Sequence, residues 1–405
     1  MRFVRLVALA AVTVVAASCQ SKQEAPPAPA AAPAAAAPAE SPAPAAAPAS
    51  DKILIGHVAS MTGEQATFGS STDNGIKLAL DEANKAGGIN GKQLEVKTLD
   101  DQGKPEEAAT AATRLITQDH VAVLLGEVAS SRSLAMAPIA DSNQVPMISP
   151  TSTNPRVTKD GDKTRPYVFR VCFIDPFQGT VMAKFAFETK KIKNVAIFRD
   201  IGNDYSVGLA NFFAAKFKEL GGKIVTDESY KAGDQDFKSQ LTSIKNKHPQ
   251  AIYVPGYYTD VALIARQARE LGIKVPLMGG DGWDSSKLYE IAQGALDGSF
   301  FSNHYTDEDP SPVIQGFVAK YKAAYGSVPD ALAVLGYDAA NVAIDAMKRA
   351  KDLTGPSIRD AIEQTKGFKG VSGEITLDAD HNAVKSAVVL GIEKNAAHYA
   401  TTINP

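Results

Sequence analysis

Two apolar segments of this chain run out into clusters of hydroxyl residues. Val121 to Gly126 is followed by Ser130, Ser131 and Ser133, and Val145 to Ile148 by Ser149, Thr151, Ser152 and Thr153. If both segments are neighbouring strands of a parallel α/β sheet, their carboxyl ends border one crevice, and the helices that follow begin there with unsatisfied backbone N–H groups. That arrangement cradles a small anion, most simply a carboxylate. Hydroxyls donate and accept without adding charge, so they can grip a zwitterion and still release it. The predicted chemistry is reversible binding of a small molecule. The competing reading of Ser130 and Thr153 is helix capping, the commonest task of Ser and Thr after a strand.

Enzymatic patterns are weak by comparison. The histidines, His57, His120, His248, His304, His381 and His398, show no HExxH spacing, and the chain contains no CxxC. GGINGKQ falls short of a phosphate loop, with Ala86 at the leading glycine position and Gln93 where Ser or Thr is needed. Ser130 lacks the GxSxG setting of a nucleophile elbow. Asp100 with Asp101, and Asp281 with Asp284, are carboxylate pairs of the kind used in glycoside hydrolysis, but Asp100 and Asp101 are expected to form a solvated strand end. No catalytic residue, metal or cofactor is expected.

The elements that would position the hydroxyls follow a regular cadence. Strand patterns cover Ile53 to Ala59, Gln93 to Asp100, Val121 to Gly126 and Val145 to Ser149, each followed by a helical pattern. The cadence restarts after Tyr167 to Phe173, with strands at Val195 to Asp200, Lys223 to Tyr230, Ala251 to Pro255 and Leu277 to Gly279. Helices are expected at Tyr205 to Leu220, Asp236 to Asn246 and Thr259 to Leu271 between them, and at Pro312 to Tyr325, Ala331 to Ala350 and Pro356 to Thr365 beyond, before strands near Gly373 to Leu377 and Ala387 to Glu393. Such alternation predicts an α/β protein with two doubly wound parallel-sheet lobes. A chain that returns to the first lobe and re-enters the second joins them by a multi-strand hinge.

The amino terminus reads as an address. Arg2 and Arg5 precede an apolar run from Leu6 to Val15, too short to cross a bilayer, and the pattern predicts a signal peptide over 1–18. Cys19 after Ala-Ala-Ser resembles the lipobox of bacterial lipoproteins, with Ala16 at the usual Leu position. Residues 19–50, a candidate lipidated Cys and then mostly Ala and Pro, form an extended tether that reaches on the order of 90 Å. Gln20 points to the outer membrane, facing the periplasm. Beyond the tether the one cysteine is Cys172, so no intramolecular disulfide is expected in the body, where Cys172 reads as a small buried apolar residue. The formal net charge of −3 becomes −5 when Arg2 and Arg5 leave with the leader, and the scattered Lys and Arg exclude a nucleic-acid partner.

IGHVASMTGEQATFG, NGIKLALDEANKAGGINGKQLEVKTLDDQG, VASS, ISPTSTNP, NDYSVGL, YVPGYYTD, LIARQARELG and LMGGDGWD occur in this order along the body. In these segments the chain resembles the Leu/Ile/Val-binding proteins of branched-chain amino-acid ABC transporters, which have the type I periplasmic binding protein fold. The resemblance covers essentially Asp51 to Ile392. It implies that Ser130 and Thr153 hold a ligand carboxylate, with Ser131 and Ser152 nearby. It implies also that the Thr151 carbonyl, Thr153 and Asp281 hold an ammonium, that Tyr205 and Tyr257 close from the second lobe, and that Phe68 lies near the ligand side chain. Asp281 stands where the family commonly has Glu, and its alternative role is to close the Gly279-Gly280-Asp281-Gly282 turn. Trp283 is either cleft lining or packing between helices. Arg132, one turn into the helix that begins near Ser130, would pair with a second ligand anion if it faced the cleft.

The lobes implied are 51–173 plus 302–374, and 174–301 plus 375–405. The expected partners are a small amino acid or related carboxylate, an ABC permease of the inner membrane with its ATPase, and the lipid anchor, with the protein itself a monomer. Two alternatives stay open: presentation of the ligand-closed form to a signalling receptor, and an aromatic or other carboxylate as the ligand.

Overall fold

The strands nearest the predicted crevice are short and buried at every position, as parallel strands covered on both faces must be. The computed structural model describes residues 52–405. The expected leader, Cys19 and the Ala/Pro tether lie outside the described residues. The first sheet contains β1 (Lys52–Ala59), β2 (Gln93–Asp100), β3 (Val123–Leu125), β4 (Met147–Ser149) and β5 (Val168–Arg170), all parallel in the order β2-β1-β3-β4-β5. The second contains β6 (Asn194–Asp200), β7 (Lys223–Tyr230), β8 (Ala251–Tyr253), β9 (Leu277–Gly279) and β10 (Phe300–Asn303), parallel in the order β7-β6-β8-β9-β10. Two antiparallel strands, β11 (Ala387–Glu393) and β12 (Ala396–Ile403), extend it beyond β10.

Both sheets thus repeat one doubly wound order, with the strand order reversing beside the first strand of each. Ligands of such sheets bind outside the carboxyl ends of the strands at that reversal. The expected fold class, two doubly wound parallel-sheet lobes with a multi-strand hinge, is the one observed.

Helices cover the sheets. The first lobe carries α1 (Ala66–Lys85), α2 (Pro105–Thr117) and α3 (Ser130–Ser142). The second carries α4 (Asp175–Lys184), α5 (Asp204–Glu219), α6 (Lys238–Asn246), α7 (Tyr258–Glu270) and α8 (Ser286–Ala292). The chain then returns to the first lobe with α9 (Pro312–Tyr325), α10 (Ala331–Arg349) and α11 (Gly355–Glu363). Glycines set how closely α10 approaches α1: a Cβ on Gly75 would lie 2.1 Å from the Ala333 carbonyl oxygen, and one on Gly336 would lie 2.6 Å from that of Thr72.

The sequence reading left out β10, β12, α4 and α8. β10 is the four-residue FFSN, and exposed positions of β12 alternate with half-buried ones along a sheet edge, so neither carries a strong apolar period.

Beneath the predicted crevice the fully buried Arg170, at the end of β5, ties down the loop after β4. Its guanidinium donates to the carbonyls of Ser152 at 2.6 Å and Asn154 at 2.9 Å, and to the Thr158 hydroxyl at 3.2 Å. Burial pulls its pKa down, opposed by Cys172 and Asp175 nearby. Cys172 is buried as expected, and burial pushes its thiol up to about 12. Arg170→Met is expected to leave these acceptors unsatisfied and to cost roughly 3 kcal/mol or more in denaturant unfolding. A loss below about 0.5 kcal/mol would show that the loop does not depend on the guanidinium.

Candidate functional site

The first wall of the site is the turn from β3 into α3, and its shape depends on one carbonyl. The Glu127 backbone oxygen accepts from the hydroxyls of Ser133 at 2.8 Å, Ser149 at 2.7 Å and Ser152 at 3.0 Å. Thr151 donates its hydroxyl to the next carbonyl, that of Val128, at 2.8 Å. Much of the hydroxyl cluster therefore builds the turn. The expectation that Ser152 faces the ligand is corrected: it lies behind the turn, bonded to Ser133 and Glu127. Ser131 is corrected likewise: it is not part of the cavity lining, and its oxygen accepts the backbone N–H of Asp204 across the lobes at 3.0 Å. Ser130 does not cap its helix. Its oxygen accepts from the Asn154 N–H at 3.2 Å, which leaves its O–H to donate.

Two charged residues are placed differently from expectation. Arg132 turns to Glu127, with 2.9 Å between Nε and Oε2, and lies 3.7 Å from Asp101, so it does not offer a second anion site in the cleft. Asp101 is fully buried rather than a solvated strand end, accepting from Ser60 and the Gly103 N–H at 2.8 Å each. Burial and the neighbouring Glu127 push its pKa up to about 7, against the pull of Arg132.

The second wall is assembled from carboxyl ends of the second sheet. Asn203 caps α5 by accepting from the backbone N–H groups of Tyr205 and Ser206, which fixes Tyr205 at the cleft. Tyr257 precedes α7 and stacks on Tyr205 at 5.3 Å, while Phe68 of the first lobe meets Tyr257 edge-on at 5.7 Å. Asp281 follows β9. Its Oδ1 accepts from Gln178 Nε2 at 2.7 Å and from the Tyr205 hydroxyl at 2.9 Å, and its Oδ2 lies 3.0 Å from His304 Nε2. Burial, reinforced by the charge of Asp281, keeps the Tyr205 phenol far above its usual pKa and therefore a donor. Gly280 is required here, since a Cβ would come within 2.5 Å of the Tyr205 hydroxyl and 2.8 Å of Gln178 Nε2.

Phe68, Val128, Ser130, Thr151, Tyr205, Tyr257, Asp281, Gly282 and Leu332 line one cavity between the walls, of at most about 270 Å³. Of the sequence-derived candidates, the structure brings Phe68, Ser130, Thr151, Tyr205, Tyr257 and Asp281 together. Thr153 is buried just behind this lining, beside the Asp175 carboxyl. Trp283 is corrected to a packing residue: it is fully buried, its indole N–H donates to the Val254 carbonyl at 3.0 Å, and its ring lies 5.9 Å from Phe301.

Val128, Leu332, Gln178 and His304 were not identified from sequence. The signal for His304 was its position at the end of a strand adjacent to β9, which required knowing that β10 exists. The lobes also touch outside the cavity. Arg156 pairs with Asp204 at 2.9 Å, Asn154 donates to the Asp204 carbonyl at 2.9 Å, and Thr259 donates to the Glu64 carbonyl at 2.8 Å.

Two lobes with a cavity at facing strand ends, lined by both polar and apolar side chains, define a ligand-trapping protein. The chain belongs to the periplasmic binding protein family, whose profile matches residues 52–397. It is 30% identical over 334 residues to the leucine-, isoleucine-, valine-, threonine- and alanine-binding protein of Pseudomonas aeruginosa, covering 82% of this chain and 87% of that one. Among solved structures it is similar to the leucine-binding protein LivK of Thermotoga maritima, with a TM-score of 0.83, 43% identity and coverage of 87% of this chain and 99% of that one. It is also similar to LivJ of Streptococcus pneumoniae in complex with isoleucine, with a TM-score of 0.82, 36% identity and coverage of 87% and 100%.

The raised Asp101 pKa gives a pH dependence with a definite sign. The folded protein holds this proton more tightly than the unfolded chain, so the associated stability is present at acidic pH and is lost as pH rises through about 7. Asp101→Asn removes that loss. Its melting temperature is expected to rise relative to the parent between about pH 5 and about pH 8. Parallel profiles would place the titration elsewhere.

Proposed function

We propose that this chain captures a small amino acid, branched-chain or closely related, in the interlobe cavity and delivers it to an ABC permease of the inner membrane without altering it. The observation that carries this reading is the pairing of Ser130 and Thr151 on one wall with Asp281 on the other, around a single small cavity. The ligand carboxylate would meet Ser130 and Thr153, and the ammonium would meet Asp281, the Thr151 carbonyl and Thr153. A charge buried without its counterpart is costly, so opposed poles in a closed cleft favour a zwitterion over either ion alone. Phe68, Val128 and Leu332 supply the apolar part of the lining, against which an aliphatic side chain would lie. Tyr205, Tyr257 and Asp281 would arrive together as the second lobe closes, the hinge motion by which periplasmic binding proteins enclose their ligands.

In this reading, 1–18 is a signal peptide, Cys19 carries lipid, and the tether to residue 50 holds the body in the periplasm, from the outer membrane. The lobe bounds expected at 302 and 375 shift: β10 pairs within the second sheet, and Ile375, Leu377 and Ala383 pack in the first core, so the lobes would divide as 51–173 with 304–385, and 174–303 with 386–405. Among the described residues no helix is long and apolar enough to cross a membrane. The similarity to LivK and to the isoleucine complex of LivJ supports the ligand class.

A thermal-shift screen over amino acids, aromatic acids and dicarboxylates tests the ligand class. Leucine, isoleucine or valine at about a hundred times its dissociation constant is expected to add roughly 2.7 kcal/mol of stability. A shift only with benzoate-type acids would replace the amino acid by an aromatic carboxylate. Asp281→Ala is expected to weaken leucine binding about a hundredfold while changing binding of 4-methylpentanoate, which lacks the ammonium, far less. Equal losses by calorimetry would remove Asp281 as the ammonium site. Ser130→Ala is expected to lower affinity about tenfold with the unliganded melting temperature nearly unchanged. A large fall in that temperature would assign Ser130 to the turn instead.

A further inference from the structure

His304 lies at the carboxyl end of β10 and crosses the hinge, only 4% exposed, with its ring stacked on Phe173 at 3.8 Å between centroids. One ring nitrogen, Nε2, is 3.0 Å from Asp281 Oδ2, whereas Nδ1 is buried with no hydrogen-bond partner. A carboxylate can only accept, so Nε2 carries the hydrogen and Nδ1 is the bare nitrogen of a neutral imidazole. Protonating Nδ1 would bury a donor with nothing to receive it. Asp281 then has Gln178 and Tyr205 on one oxygen and His304 alone on the other, leaving lone-pair capacity on Oδ2.

We propose that His304 is a positioning residue for amino-acid recognition: as a neutral Nε2–H donor it fixes the orientation of Asp281 and leaves the charge of that carboxylate to the ligand ammonium. A lysine or arginine in the same place would neutralise the pole. The reading rests on the amino-acid function proposed above and adds to it the residue that keeps the ammonium site anionic.

The surroundings favour the neutral ring. Burial pulls the His304 pKa below its ordinary value; Asp281 opposes this and Lys385 reinforces it. Lys385 is itself pulled down to about 8 by burial, against Asp338, and donates to Ser372. Cys172 interacts with both Asp281 and Lys385, and Asp175, Asp284, Tyr205, Tyr253 and Tyr257 are further titratable groups that interact with Asp281. Acid that protonates His304 sets a second cation against the ligand ammonium. The liganded protein therefore resists that proton more than the free protein does, and amino-acid affinity is retained at neutral pH and lost on the acid side of the ordinary imidazole range.

The test is calorimetry with L-leucine from about pH 5 to about pH 8 on the parent and on His304→Gln, which keeps an N–H donor but cannot become a cation. The parent is expected to lose affinity by up to about tenfold per pH unit on the acid side. His304→Gln should match it within about threefold at neutral pH and show a flat profile. The same acid loss in His304→Gln overturns the proposal. Nitrogen-15 NMR of the unliganded imidazole gives an independent readout should the parent bind no amino acid or the variant fail to fold. Failure of the parent to bind defeats the proposed function. For His304, the neutral Nε2–H form at neutral pH supports its role, and an imidazolium or an Nδ1–H form overturns it.

Discussion

A carboxylate that is almost wholly buried, 8% exposed, governs this structure. Removing Asp281 from water costs several kcal/mol unless other groups replace its hydration. The fold supplies them from three separate elements: Gln178 from α4, Tyr205 from α5 and His304 from the end of β10. Those donors satisfy part of the carboxylate, and its charge still calls for a cation. The cleft places that unmet demand opposite Ser130, the arrangement on which the proposed capture of a zwitterion rests.

The rest of the architecture serves this geometry. Two sheets of the same doubly wound order present carboxyl ends to each other across the cavity. Glycines hold the tolerances where side chains would intrude, most clearly at Gly280 under the Tyr205 hydroxyl. The first wall is rigid because Glu127 gathers three hydroxyls on its carbonyl while Arg170 holds the following loop. A stiff wall suits reversible capture, since little conformational entropy is then lost at the hydroxyl end when a ligand docks.

The alternating apolar runs and helical periods were enough to read the doubly wound lobes, because each period is a local property of the chain. β10 was too short to carry one. The types of the hydroxyl residues were equally legible, but their directions were not. Ser133, Ser149 and Ser152 turn inward because one carbonyl accepts all three, a tertiary arrangement with no trace in spacing. Ser131 is taken up by Asp204 from the other lobe for the same kind of reason. Arg132 and Asp101 looked available from sequence, yet both are buried, Arg132 against Glu127 and Asp101 on Ser60 and the Gly103 N–H. Asp281 could be found from its turn and from the family resemblance, whereas Gln178 and His304 enter the site only through the packing of α4 and β10.

The most direct measurement is a crystal structure of the protein soaked or grown with L-leucine. The account predicts the leucine nitrogen within hydrogen-bonding distance of Asp281 Oδ2, beside His304, and the leucine carboxylate on Ser130, with the side chain against Phe68, Val128 and Leu332. Leucine lying outside this cavity, or seated with its carboxylate toward Asp281, would contradict it.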